Sequence, residues 1–196
     1  INTNWAGGFN YNNIIGKKTD LQSNYFYSRY NPNLQSSIQR QYFLPDSSYF
    51  YNQSGYSNNI NNSHRLNFTV EHIIDSFNSI KFTQSIGLQK TNNRSFSNYI
   101  TQSDDGIKNN EGFSNNSANG DGYNLRNDFI FRKKFRAKKG RTFSLNLQTT
   151  ANQSTGESEL ESINRFYTPG GSLQRIDSFN QRSNNEAALF GYTARA

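Results

Sequence analysis

Residues Thr142 to Asn152 alternate strictly. Phe143, Leu145, Leu147, Thr149 and Ala151 occupy one set of positions, while Ser144, Asn146, Gln148 and Thr150 occupy the other. Period two places the sets on opposite sides of a sheet and predicts a strand. A partner strand is expected from about Tyr123 to Phe135: Tyr123, Leu125, Phe129, Phe131 and Phe135 oppose Arg126, Asp128, Arg132 and Lys134, with Ile130 out of pattern. A second hairpin repeats the arrangement. Leu66, Phe68, Val70 and Ile74 alternate with Asn67, Thr69, Glu71 and Ile73, His72 interrupting, and Ile80, Phe82, Ile86 and Leu88 alternate with Lys81, Thr83, Ser85 and Gln89 on the return. In a first hairpin Trp5, Gly7, Phe9 and Tyr11 share a face; Leu21, Tyr25 and Tyr27 share one on the way back, less cleanly because Phe26 opposes them. A last strand is expected near Ala187 to Ala194, with Ala188, Phe190 and Tyr192 on one face.

Short turns join these hairpins at Gly16-Lys17-Lys18, Asp75-Ser76-Phe77-Asn78 and Ala137-Lys138-Lys139-Gly140-Arg141. They recur at intervals of roughly sixty residues, a fixed-period recurrence of the kind that marks repeated hairpins. Three long connections lie between, at about Asn31–Ser63, Asn92–Gly122 and Ser154–Asn185. Compact domains rarely hold structureless loops beyond about 15 residues. Each connection also carries its own hairpin signal: Tyr42 to Tyr51 around Pro45-Asp46, Asp104-Asp105-Gly106, and Thr168-Pro169-Gly170-Gly171. The strands are therefore expected to run past the hairpins and order part of the loops. Short turns at one end, long polar connections at the other and strands above the usual globular length predict an all-β fold: an antiparallel up-and-down transmembrane β-barrel segment of about seven long strands. The whole of 1–196 is then part of one barrel domain.

Composition supports this. Hydrophobic residues are only 32% and mean hydropathy is −0.93, values that lean towards disorder, yet aromatics reach 15% and there are only 3 prolines. Strands with one apolar face and polar connections reconcile the two. There is no cysteine, which excludes a disulfide framework and a thiolate metal site, and no apolar run long enough for a transmembrane helix. The chain opens at Ile1 with neither Met nor a signal-like segment, which predicts a processed chain or a piece of a longer protein. The formal net charge is +7, and much of it sits at the turns: Lys17, Lys18, Lys133, Lys134, Arg136, Lys138, Lys139 and Arg141. Charge there keeps the turns in water and anchors them at a bilayer interface.

No constellation carries chemistry. His64 and His72 lie eight positions apart in one strand, about 26 Å, too far to share a metal. Glu157, Glu159 and Glu161 would line one face of an extended segment; a hard cation would want such oxygens, but a solvated acidic stretch explains them. Asp104-Asp105-Gly106 and Gly120-Asp121-Gly122 fit turns better than calcium loops. The latter's glycine spacing leads into a strand, whereas a phosphate cradle needs a helix N-terminus. Sequons such as Asn52-Gln53-Ser54 and Asn67-Phe68-Thr69 arise by chance in an Asn- and Ser-rich chain. Phe129, Phe131 and Phe135 between basic residues could stack on nucleic acid, but they share one face, the face a lipid-exposed strand presents. No enzyme, no cofactor, no metal and no nucleic acid are expected.

Several segments resemble a known family: Asn4-Trp5-Ala6-Gly7-Gly8 with Gly16-Lys17-Lys18-Thr19-Asp20-Leu21, Arg40-Gln41-Tyr42-Phe43-Leu44-Pro45-Asp46-Ser47, His64-Arg65-Leu66-Asn67-Phe68, Gly140-Arg141-Thr142-Phe143-Ser144-Leu145 and Ile163-Asn164-Arg165-Phe166-Tyr167. Together they are similar to the barrel region of Bacteroidetes-type outer-membrane β-barrel proteins, the TonB-dependent receptor-like group. The resemblance spans essentially the whole chain and is one of fold, since none of these segments carries chemistry. It implies an internal fragment of a plugged barrel of about 22 strands, without the plug domain, in the bacterial outer membrane. It implies short periplasmic turns, long extracellular loops, and import of a polar ligand, glycan or peptide, through loops and plugged lumen. Expected partners are outer-membrane lipid, the remainder of the barrel or neighbouring subunits, and a TonB-type energiser acting through the absent plug. A structural barrel supporting a partner complex and a soluble secreted β-sandwich or adhesin are the alternatives; a plug-like sequence before Ile1 would separate receptor from scaffold.

On this reading Phe68, Val70, Phe82, Ile86, Leu88, Phe129, Phe131, Phe143, Leu145 and Leu147 face lipid. Lys81, Thr83, Ser85, Arg126, Asp128, Arg132, Ser144, Asn146 and Gln148 face the lumen. Trp5, Tyr11, Tyr27, Phe77 and Phe135 are expected in the interfacial girdles.

Overall fold

A computed structural model describes residues 2–45, 47–138 and 140–196. Asp46, within the hairpin signal at Tyr42 to Tyr51, and Lys139, within the third basic turn, lie outside the described residues, as does Ile1. The chain forms one antiparallel sheet of eight strands: β1 Trp5–Ile15, β2 Thr19–Tyr30, β3 Asn33–Phe43, β4 Ser48–Ile73, β5 Asn78–Ser103, β6 Lys108–Lys134, β7 Thr142–Tyr167 and β8 Leu173–Arg195. The order is β1-β2-β4-β5-β6-β7-β8, with β3 also paired to β4. Among the described residues the sheet is open: β1 pairs only with β2, β3 only with β4, and β8 only with β7.

The sequence predicts about seven strands and the structure has eight, because β3 is an additional element. β3 continues β2. Tyr30 faces Asn61 and Asn33 faces Asn58, so Asn31 and Pro32 fill the two intervening positions with no slip of register. Together β2 and β3 run antiparallel to the 26-residue β4, and Pro32 interrupts the ladder because it has no N–H to donate. The break is stitched by asparagines. Asn58 Nδ2 donates to Asn31 Oδ1 and to Asn33 Oδ1, each at 2.6 Å, and the Asn31 and Asn33 amides donate to Asn4 Oδ1 and Asn2 Oδ1 at 3.0 and 2.8 Å.

The three long connections are filled by continuations of the strands and by the turns whose signals they carry. β4 to β7 are 26 or 27 residues long, about 85 Å at 3.3 Å per residue. Gly106 (φ 79°) and Gly171 (φ 79°) take the left-handed conformation that the far turns require; their amides donate to Ser103 and Thr168 carbonyls at 2.9 and 2.8 Å. Gly120-Asp121-Gly122, expected as a turn, instead lies inside β6, opposite Thr91, Lys90 and Gln89. Both faces of the sheet are polar around that stretch, so glycine and aspartate meet no packing demand that would exclude them.

A single layer has no interior. Among the described residues no apolar side chain is buried, and only Thr101 among polar side chains is. Large apolar groups lie open, including Phe9 at 61%, Phe190 at 71% and Tyr192 at 81% exposure.

Candidate functional site

Register propagates the alternation of each strand across the whole sheet. Val70 faces Phe82, Phe82 faces Phe129, and Phe129 faces Leu147. Leu66, Ile86, Leu125 and Ala151 make a second row, joined by Tyr25 at one end and Phe190 at the other. Period two then puts Phe68, Val70, Phe82, Ile86, Leu88, Phe129, Phe131, Phe143, Leu145 and Leu147 on one face. Lys81, Thr83, Ser85, Arg126, Asp128, Arg132, Ser144, Asn146 and Gln148 share the other. Ile130 and Phe26 are apolar members of that polar face.

The apolar face is a band, not a whole surface. On β5 it runs from Ile80 to Leu88, on β6 from Phe131 back to Tyr123, and on β7 from Phe143 to Ala151. Each stretch is about nine residues, the length a tilted strand needs to cross a bilayer. One cross-strand row is mostly polar: Ser23, Gln84, Asn127 and Thr149, with Phe68 between the first two and Asn127 Nδ2 donating to Thr149 Oγ1 at 3.1 Å. Beyond Leu88 the same face turns polar, with Lys90, Asn92 and Arg94 in succession on β5.

Across the sheet at band height, the polar face carries charges of both signs. Glu71 lies 3.8 Å from both Lys81 and Arg132, and Arg126 Nε donates to Asp128 at 3.0 Å.

Tyr25, Tyr27, His64, Leu88 and Tyr123 line an open groove of about 1050 Å³ where the band gives way to the polar extension. Tyr25 and His64 Nδ1 share a hydrogen bond at 2.7 Å, and the Tyr27 and His64 rings lie 4.8 Å apart. His72 is hydrogen-bonded to Thr19 at the other edge of the band, at 2.8 Å. Of the aromatics expected in girdles, Tyr27 and Trp5 lie at this transition, Trp5 opposite Arg29. Phe77 and Phe135 lie at the short turns, under Arg136 (5.9 Å) and Lys133 (5.7 Å) respectively. Tyr11 lies elsewhere: β1 continues to Ile15, so Tyr11 is mid-strand, opposite Ser23.

The far extension builds an aromatic cluster on the polar face that alternation alone does not reveal. Tyr42 stacks on Tyr49 at 4.7 Å and Tyr51 on Tyr99 at 5.7 Å. Gly112, on the strand between, lets the Tyr99 ring pass over β6 and donate to Asn164 Oδ1 on β7 at 2.8 Å. Burial pushes the Tyr99 phenol up, with the neighbouring Tyr51 adding to it. Hydrogen bonding to Tyr42 holds the Arg40 guanidinium above its usual range, and Arg175 lies over Phe166 at 4.4 Å. The only sequence signal for this cluster was the density of tyrosine around Pro45 and Tyr99. Glu157, Glu159 and Glu161 lie along the band face of β7 in this region, Glu159 paired with Arg182 at 3.2 Å.

No known protein family and no curated protein matches the chain. Among solved structures the chain is similar to the membrane pore complex of pneumolysin, with 10% identity and a TM-score of 0.23 over 89% of this chain and 31% of that one. It is also similar to the ferric-catecholate import receptor Fiu from E. coli K12 in its open form, with 9% identity and a TM-score of 0.18 over 97% of this chain and 49% of that one. The chain thus spans less than half the length of either. Likeness at this level identifies neither a fold relative nor an activity.

Proposed function

We propose that this chain is an arc of an outer-membrane β-barrel, with the apolar band against lipid and the polar face towards a lumen. The carrying observation is the band itself: apolar side chains in register on one face, about one membrane crossing tall, in a sheet that buries no apolar side chain among its described residues. Water would leave that surface bare, and lipid covers it. The unpaired edges of β1 and β8 then pair with further strands, since a bilayer does not tolerate open backbone groups.

Within that reading, the chain belongs to a receptor of the TonB-dependent type that takes up a polar ligand. The motif resemblance supports this, as does the aromatic and amide cluster above the band, whose Tyr51, Tyr99, Asn164 and Arg40 offer stacking faces and hydrogen bonds to a glycan or peptide. The test is paired. Leu147→Arg, central in the band, should cost about 2–4 kcal/mol of folding stability in lipid, and Gln148→Arg on the facing side close to nothing. Equal effects at the two positions, or a monodisperse protein in plain buffer, would overturn the membrane reading.

A further inference from the structure

Resting on the membrane reading, we propose that the end of the sheet bearing the basic turns is a binding surface for anionic phospholipid headgroups of the adjacent leaflet. Three observations carry this. First, the turns form one rim: Lys18 Nζ donates to the Ile74 carbonyl at 3.0 Å, tying the first turn to the second. The Lys134 amide donates to the Phe77 carbonyl at 2.7 Å, tying the third turn to the second. Second, the rim carries an excess of cations. Lys17, Lys18, Lys134, Arg136, Lys138 and Arg141 are exposed, and among the described residues none forms an ion pair. The turn carboxylate there, Asp75, accepts from the Phe77 and Asn78 amides at 2.7 and 2.8 Å and interacts with Lys18, which leaves the other cations in excess. Third, the rim is apolar between its cations, with Ile14, Ile74, Phe77 and Phe135 exposed at 69%, 44%, 37% and 40%.

Position selects the occupant. The rim directly follows the apolar band, at Ile15, Ile80 and Phe131. The far turns stand about 50 Å beyond it along the strands, and Asp104, Asp105 and the Lys108–Glu111 pair leave them without a cationic excess. Of the two sets of turns, only the basic one lies at an edge of the band, where its cations meet phosphates while its isoleucines and phenylalanines sit at the acyl boundary; at the band's other edge Lys90 is paired with Asp121 at 3.8 Å. Each cation there gains from a negative surface potential.

The experiment uses bromine quenching of a single tryptophan. Phe77→Trp in a Trp5→Phe background places the only indole in the rim, and the unaltered chain, with Trp5 at the opposite edge of the band, is the control. Each is reconstituted in vesicles of brominated phosphatidylcholine or brominated phosphatidylglycerol. The rim indole should be quenched with an apparent preference for phosphatidylglycerol of about fivefold, as expected when several cations act together, and Trp5 with none. Lys17→Gln, Lys18→Gln, Lys138→Gln and Arg141→Gln combined should return the ratio to one, with strand content unchanged by circular dichroism; 0.5 M salt, at about a 4–5 Å screening length, should reduce it in the parent. Equal quenching by both lipids, or a preference that survives neutralisation, overturns the proposal while leaving the membrane reading intact. Absence of quenching at Trp5 as well overturns both.

Discussion

Asn58 donates its side-chain amide to Asn31 Oδ1 at 2.6 Å across the one point where proline interrupts the β4 ladder. The same nitrogen reaches Asn33 Oδ1 at 2.6 Å and lies 3.4 Å from the Pro32 carbonyl. This half-buried side chain thus joins Asn2 and Asn4 in holding β2 and β3 as one continuous strand. Asn58→Ala should cost about 1–2 kcal/mol by removing these bonds and the donor to Asn31 Oδ1. Amide exchange at Asn31 and Asn33 should quicken with that at Tyr25 unchanged. Uniform acceleration along β2 would show that the stitch does not act locally.

Gly112 is where the far cluster is most sensitive. A Cβ there would lie 2.5 Å from the Ile163 carbonyl oxygen, 2.6 Å from Asn164 Oδ1 and 2.9 Å from Tyr99 Cε1. The first neighbour is backbone and cannot swing aside. Gly112→Ala should therefore lift Tyr99 off Asn164 and cost about 1–3 kcal/mol, the usual range for overpacking. The Tyr99 phenol, pushed up by burial in the parent, should titrate closer to an ordinary tyrosine in the variant. An unchanged titration would argue that Tyr99 does not depend on the glycine.

How legible this was depended on whether one face of the strand is apolar. Around Phe143, Leu145 and Leu147 one face is apolar, so alternation appears in the sequence and the strand is evident. Above Leu88 both faces are mostly polar with aromatic rings only at intervals, so side chains at alternate positions are weakly selected. Strand pairing there rests on the backbone ladder, which leaves no compositional mark. β3 went uncounted for this reason: Leu34, Ile38 and Tyr42 recur every four residues among Gln and Ser. Gly120-Asp121-Gly122 resembles a turn because a doubly wet strand can carry turn residues. The far cluster was hidden differently, since Tyr99, Gly112 and Asn164 lie on three strands and meet only through register.

The polar row inside the band gives an independent test of what covers it. Asn127 donates to Thr149 Oγ1, while its own Oδ1 is buried without a partner. Removing one member should hurt and removing both should not. Thr149→Val alone should cost about 1–3 kcal/mol, by stranding the Asn127 amide in a medium that offers no hydrogen bonds. Asn127→Leu with Thr149→Val should recover that loss or exceed the parent. Urea titration of the protein folded into lipid vesicles measures both. A double variant less stable than either single one would mean that water, not hydrocarbon, lies over this row.

At the far end, Glu111 accepts from the Tyr167 hydroxyl and from Lys108 Nζ, the latter at 2.9 Å. The Tyr167 hydrogen bond and then the Lys108 bond hold the Glu111 carboxyl below its ordinary value of 4.5. A depressed carboxyl contributes stability that is present above the ordinary value and lost as pH falls through the folded one. The same contacts raise Lys108 and Tyr167, first through hydrogen bonding to Glu111. Their contribution is full below their ordinary values and lost as pH rises through the folded ones. The turn at Asp104 to Ile107 should therefore be most protected across the wide interval between, with amide exchange at Lys108 and Glu111 quickening at both extremes. Tyr167→Phe removes the larger contribution, so the Glu111 carboxyl should titrate closer to 4.5 and the acid limb should begin at higher pH. Carboxyl carbon NMR of Glu111 decides this, and a Tyr167→Phe curve superimposed on the parent's would assign the depression to Lys108 alone.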